Sequence, residues 1–172
     1  MKTISELSGI HNDEVLTVIG RGKSLGRLRL EHLEGVVMAI NHAIKVVESL
    51  QPDNPLYSLQ KDHLFFYPQK ATLLLHEREA LAEIDGVDYE PVYSFDVERD
   101  FKIRWNLPSV VIAEKLGVLF GCKRVVYLCC DAVTDGNTDT FGIPPTKPRD
   151  YLFHGELVRK HASIPVEWKR IT

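Results

Sequence analysis

Residues 15–25 read VLTVIGRGKSL. The run from Val15 to Ile19 is apolar and rich in β-branched side chains, which predicts a buried strand. The next five residues, Gly20 to Ser24, supply two glycines, two basic side chains and a hydroxyl. Glycines let backbone N–H groups approach an anion closely, and basic side chains add positive charge beside it. A strand followed by such a loop is typical of an α/β fold that holds a phosphate where the strand ends.

The rest of the chain alternates between strand-like and helix-like segments. Because most of the strand-like runs are apolar throughout, they favour a parallel sheet covered on both faces. We therefore expect a Rossmann-like α/β three-layer sandwich, with residues 1–172 forming a single domain. Further strands are predicted at 36–40, 63–67, 71–77, 91–95 (at an edge of the sheet), 124–131 and 164–168, and helices at 42–50, 77–84, 108–120 and 155–163.

Composition limits the classes of partner. The chain has 172 residues, is 44% hydrophobic and carries a net charge of −3, so no global basic field indicates nucleic acid. It contains no apolar run near the length of about 20 residues that crosses a membrane, and its N-terminus lacks the apolar core of a signal peptide. Three cysteines, two of them adjacent, make a poor disulfide framework and suit buried thiols in a reducing cytoplasm. The sequence does not give the oligomeric state and is compatible with a homo-oligomer.

The glycine-rich loop departs from two common phosphate-binding patterns. A Walker A loop would need a glycine at position 17, which is Thr17, and a dinucleotide fingerprint would need one at position 25, which is Leu25. The histidines show no metal-binding spacing, so no metal site is predicted. Two interpretations of the loop remain: contact with a phosphate or nucleotide, or a tight strand-to-helix turn with exposed basic residues.

Other candidate binding residues follow predicted strand ends or begin helices. Asn41 combines a donor and an acceptor, which suits a ribose or base edge, although it could instead cap the next helix. Ser109 lies in a first helical turn, where free N–H groups favour anions, and Arg104 just upstream could bind a diphosphate. Asp131 ends the most strand-like run and could orient a sugar hydroxyl or simply fix a turn.

Three segments resemble one family in the same order. GRGKSL resembles the G-x-G-x-S-L loop of bacterial sialyltransferases and flagellin-type glycosyltransferase domains, a group that includes hydroxymethylpterin diphosphokinase-like domains. VVMAIN, ending at Asn41, resembles the group's second strand, and PSVVIAEKLGVLFGCKRVVYLCCD resembles its helix–strand segment ending in Asp. Lys23 stands where the family usually has Pro, and Cys130 where it commonly has Gly.

The resemblance implies a small glycosyltransferase that binds a nucleotide-sugar through residues 20–24, Asn41 and Ser109, without a metal or other cofactor. It implies a general base after Asp131, for which His154 is the candidate, with Arg149 and Tyr151 near it to bind phosphate. An acceptor-binding lid would fall in 132–153, and the hydroxyl acceptor is unknown. Two alternatives remain: ATP-dependent diphosphate transfer to a small alcohol, with Mg²⁺ held by Asp131, Asp135 and Asp139, or a non-catalytic nucleotide-binding module.

Overall fold

The sheet is built on strands that are buried along most of their length. All five residues of β2 (Val15–Ile19) and of β3 (Val36–Ile40) are buried, as expected of parallel strands covered on both faces. The computed structural model describes residues 2–78, 89–131 and 148–172. The other elements are β1 (Lys2–Thr3), α1 (Ala43–Ser49), β4 (Leu56–Gln60), β5 (Thr72–His76), β6 (Val92–Phe95), α2 (Val97–Phe101), α3 (Ser109–Phe120), β7 (Arg124–Leu128), α4 (Pro148–His161) and β8 (Val166–Lys169).

The eight strands of the described residues form one parallel sheet, in the order β1-β6-β5-β4-β3-β2-β7-β8. From β2 the chain adds β3 to β6 on one side, then returns to place β7 and β8 on the other side of β2. The direction of winding therefore reverses between β2 and β7. The predicted α/β class with a Rossmann-like parallel sheet is confirmed, and in such sheets ligands bind outside the carboxyl ends of the strands at this reversal.

Apolar layers cover the two faces of the sheet. On one face, Leu16 and Val18 of β2 pack in a cluster with α3 and with Val158 of α4. On the other face, Val15 and Ile19 pack in a second cluster with α1 and with Leu25 and Leu28 after the glycine-rich loop. Successive side chains of a strand point to opposite faces, so one apolar strand supplies both clusters. The result is the three-layer arrangement that the sequence predicts.

The strand predicted at 63–67 was wrong. The segment is irregular, and the strand at this place in the sheet is β4, seven residues earlier. The buried side chain of Gln60 explains the difference, because its Oε1 accepts from the backbone N–H of Phe65 (2.8 Å) and its Nε2 donates to the carbonyl of Phe66 (2.9 Å). An amide side chain thus takes the backbone groups that a neighbouring strand would have paired.

Other departures are smaller. The strand predicted at 91–95 is not at the edge of the sheet, because β1 pairs outside β6. Most of the helix predicted at 77–84 lies outside the described residues, as do residues 132–147 of the proposed lid, including Asp135 and Asp139. Within the described residues, no helix has both the length and the apolar character to cross a membrane.

Candidate functional site

The glycine-rich loop runs beside the end of β7, its neighbour in the sheet. The Gly20 amide donates to the Leu128 carbonyl (2.9 Å) and the Gly22 amide to the Cys129 carbonyl (2.7 Å). The loop therefore extends the parallel ladder past Ile19, while Cys129 turns β7 away with a φ of 56°. These two amides hold the loop against β7, whereas the sequence suggested that they face an anion.

Close packing against β7 also explains why the loop needs its glycines. A Cβ added to Gly20 would lie 2.7 Å from both the Cys129 carbonyl oxygen and Cys130 Sγ. A Cβ added to Gly22 would lie 2.5 Å from Asp131 Oδ2 and 2.7 Å from the Asp131 backbone nitrogen. Both residues therefore serve a close approach between two loops at the point where the winding of the sheet reverses.

The first turn of the short 3₁₀ helix Lys23–Arg27 is bound by the Asp131 carboxylate of the same chain. The Ser24 amide donates to Asp131 Oδ2 over 2.7 Å, a contact between residues 107 positions apart. Free N–H groups at a helix start favour negative charge, and here a carboxylate of the same chain supplies it. The Ser24 side chain is only 1% exposed. Its Oγ lies against the Cys129 thiol and has no nitrogen or oxygen partner among the described residues.

Cationic and amide groups continue the site toward β3. Arg21 is partly buried, and its Nη1 donates to Nδ1 of His42 over 3.3 Å, while Lys23 is exposed. Asn41 follows β3 with a φ of 51°, and its backbone N–H donates to the Leu59 carbonyl. Asn41 Oδ1 is buried and accepts no hydrogen bond from any described residue. The side chain therefore does not cap α1, and a bound donor would satisfy it.

One cation at this edge of the sheet was missed by sequence reasoning. Lys61 directly follows β4, is 4% exposed, and its Nζ lies 2.8 Å from Asp62 Oδ1. A lysine immediately after a strand is the signal that could have found it, but the prediction placed the strand later. Lys61 follows the carboxyl end of β4, whereas Arg21 and Lys23 follow that of β2, with β3 between the two strands.

A small cavity of about 70 Å³ opens on the β8 side of Asp131. The Trp168 ring forms one wall and stacks on Tyr127, with centroids 4.2 Å apart and planes 14° from parallel. Trp168 Nε1 is buried without a hydrogen-bond partner among the described residues. Lys169 and Arg170 also line the cavity, beside Asp131. Sequence reasoning named none of these three residues.

Two helices approach the same edge from the α3 face of the sheet. α3 and α4 each lead into a parallel strand, so both begin at the carboxyl edge. Lys115 Nζ donates to the His161 carbonyl and to Ser163 Oγ, which fixes how the helices align. Ser109 lies six residues before Lys115 and His154 seven before His161, about 9 and 10.5 Å back along their helices. Both candidates therefore lie at similar heights near this edge.

The remaining candidates have simpler surroundings. Ser109 is the first residue of α3, Pro108 precedes it as the cap, and Arg104 is exposed in the segment before them. Arg149 and Tyr151 belong to the first turn of α4, and their side chains are outside what the structure describes. α3 and α4 both pack on one face of the sheet, whereas the segment after the loop packs on the α1 face.

The cysteines near the site are inert thiols. Burial raises the pKa of Cys129 to about 12 and holds that of Cys130 above its ordinary value. Their side chains pack on opposite faces of the sheet, as adjacent positions predict. No group of three metal-ligating side chains occurs in the part of the chain that the structure describes.

Comparison of the chain with known protein families, curated proteins and solved structures finds no match. Any function must therefore be argued from the site itself.

Proposed function

We propose that this protein binds a nucleoside phosphate between the carboxyl ends of β2 and β7 and acts as a small glycosyltransferase on a nucleotide-sugar. One observation carries the proposal: the winding of the sheet reverses between the glycine-rich loop and Asp131. This is the position at which open parallel sheets bind ligands. Sugar transfer rests on the resemblance of GRGKSL, VVMAIN and the helix–strand segment ending in Asp131.

Phosphate binding falls to side chains rather than to the loop's glycine amides. The Gly20 and Gly22 amides bond to carbonyls and the Ser24 amide to Asp131. Arg21 and Lys23 remain beside them as the charged donors for a phosphate. Asp131 then acts by holding the loop in place. Asn41 Oδ1 accepts no hydrogen bond from the described part of the chain, and in this proposal it accepts from a ribose hydroxyl.

The cavity of about 70 Å³ beside Asp131 is small, and in this proposal it takes one group of the donor sugar or of the acceptor. Trp168 and Arg170 line it, so an aromatic ring and a basic residue lie beside any group bound there. In this proposal Ser109 faces the donor nucleotide, and His154 takes the proton of the acceptor hydroxyl. An imidazole has a suitable pKa for that step near neutral pH.

Two alternatives make different demands. Diphosphate transfer from ATP would need Mg²⁺ and carboxylates near the phosphates. A non-catalytic module would bind a nucleotide without turnover, and the Ser24–Asp131 bond, which already fills the loop amide, favours this second candidate. Dependence of binding on Mg²⁺ identifies the first alternative, and binding without hydrolysis or transfer of any donor sugar identifies the second.

A charge-removal pair tests the proposed binding position. Lys23 is exposed on the loop at the carboxyl end of β2. Lys70 is exposed just before β5, at the amino ends of the strands. We expect Lys23→Ala to weaken the binding of UDP, CMP or ADP, measured by isothermal titration calorimetry in EDTA, and Lys70→Ala to leave it unchanged. Equal affinities of the two variants for every nucleotide that binds would move the phosphate away from this loop.

A further inference from the structure

A group of aromatic rings lies beside the proposed phosphate site, at the carboxyl ends of β3 and β4. The His42 ring centroid is 4.7 Å from that of Phe65 and 5.3 Å from that of Phe66. The rings of His63 and Phe65 also pack edge to face, with their centroids 5.8 Å apart. Phe65 nevertheless remains 42% exposed, which is high for a phenylalanine packed on two rings.

The exposed ring is held in a fixed place. Gln60 is fully buried at the end of β4, and its Oε1 accepts from the Phe65 amide at 2.8 Å. The same side chain donates to the Phe66 carbonyl at 2.9 Å, and the Lys45 ammonium lies 4.4 Å from the Phe66 ring centroid. An exposed aromatic residue on its own is ordinary on a protein surface. A buried amide that fixes its backbone makes this ring part of an ordered surface.

This aromatic group is joined directly to the glycine-rich loop. Arg21 Nη1 lies 3.3 Å from His42 Nδ1, and a guanidinium can only donate, so Nδ1 is the acceptor in this contact. One arginine thus links the loop proposed for phosphate to the rings beside it.

We propose that Phe65, backed by His42, is the stacking surface for the base of the bound nucleotide. The inference rests on the proposed function and adds to it the position of the base, on the β3–β4 side of the loop. Every nucleobase has a π face, so stacking on an aromatic ring gives affinity without strict choice of base. Arg21 and Lys45 beside the rings favour an anionic ligand over a neutral aromatic one.

The test separates contact with the base from contact with the phosphates. Affinities of the full chain for UDP, CMP, ADP and inorganic pyrophosphate are measured by calorimetry for the wild type and for two Phe65 variants. Phe65→Leu keeps an apolar side chain without a π face, and Phe65→Tyr keeps the ring. We expect Phe65→Leu to bind nucleotides about tenfold more weakly, equivalent to about 1.4 kcal/mol, with pyrophosphate affinity unchanged. Phe65→Tyr should stay within about twofold of the wild type.

A matched control uses Ile10→Ala, which trims an exposed apolar side chain (53%) in the segment before β2, at the opposite edge of the sheet. It should leave every affinity unchanged, and the melting temperatures of all variants verify folding. Nucleotide affinity unaffected by Phe65→Leu would overturn the stacking surface while leaving the proposed function in place. Equal losses for nucleotides and pyrophosphate would also overturn it. A wild type that binds no nucleotide would overturn both proposals.

Discussion

The substitution Gly22→Ala tests the packing of the loop against Asp131. Gly22 has a φ of −63°, which alanine adopts without strain, so the added methyl group perturbs the native state only through its contacts. That methyl would lie 2.5 Å from Asp131 Oδ2, 2.7 Å from the Asp131 nitrogen and 2.8 Å from the Cys129 carbonyl oxygen. Two of these atoms are backbone, so the loop and the end of β7 must move apart.

The expected loss has two parts. Overpacking in a close-fitting region costs about 1–3 kcal/mol. Moving the Asp131 carboxylate also breaks its bond to the Ser24 amide, and hydrogen bonds to charged groups contribute about 1.5–3 kcal/mol. The two effects relieve each other in part, so we expect the free energy of unfolding to fall by about 2–4 kcal/mol. For a chain of this size, the melting temperature would fall by about 4–16 °C.

Gly26→Ala is the matched control. Gly26 lies in the short helix that Gly22 caps, and no atom lies within 4 Å of a Cβ added to it. Urea unfolding followed by circular dichroism gives both free energies. We expect Gly26→Ala to stay within about 0.5 kcal/mol of the wild type, the usual range for surface changes. Equal stabilities of the two variants would refute the close approach between the loop and Asp131.

The structure leads to three further expectations, one for cysteine labelling and two for substitutions. Burial raises the pKa of Cys122 to about 11 and of Cys129 to about 12, so iodoacetamide at pH 8 should alkylate these thiols only after denaturation, as mass spectrometry would show; rapid native labelling would contradict their burial. Burial alone would raise the pKa of Asp100, but bonds from Arg99 and the Asp96 amide lower it. Asp100→Asn should therefore destabilise the fold at pH 7, and the difference in urea midpoint should shrink as the pH falls below 3.8, the ordinary pKa of the group; a difference that does not shrink with falling pH would refute this. Gln60→Leu leaves the Phe65 amide without its buried partner and should increase proteolysis near that residue; an unchanged cleavage rate would argue against this role.

Much of the fold could be predicted because its signals are local. β2 and β3 have the predicted bounds, since each is a continuous apolar run ended by a glycine or an asparagine. β4 was missed because its buried Ser58 and Gln60 interrupt the apolar pattern. The aromatic run at 63–67 has the stronger β propensity, but a buried side chain takes its backbone partners.

The candidate site was predictable only in outline. The polar residues after β2, β3 and β7 share one edge because the sheet is parallel, and this followed from the strand pattern. The bond between Ser24 and Asp131 did not, because it joins positions 107 apart. The wall formed by Trp168 depends on β8 lying beside β7, which periodicity does not reveal.

The most direct measurement is the melting temperature of the purified chain with nucleoside mono- and diphosphates, nucleotide-sugars and ATP, each in EDTA and in Mg²⁺. A ligand at about 100 times its dissociation constant stabilises the native state by about 2.7 kcal/mol, a shift that is easily measured. We expect a nucleotide or a nucleotide-sugar to raise the melting temperature in EDTA. Lys23→Ala should reduce that rise. No shift with any nucleotide under either condition would contradict a nucleotide site between β2 and β7.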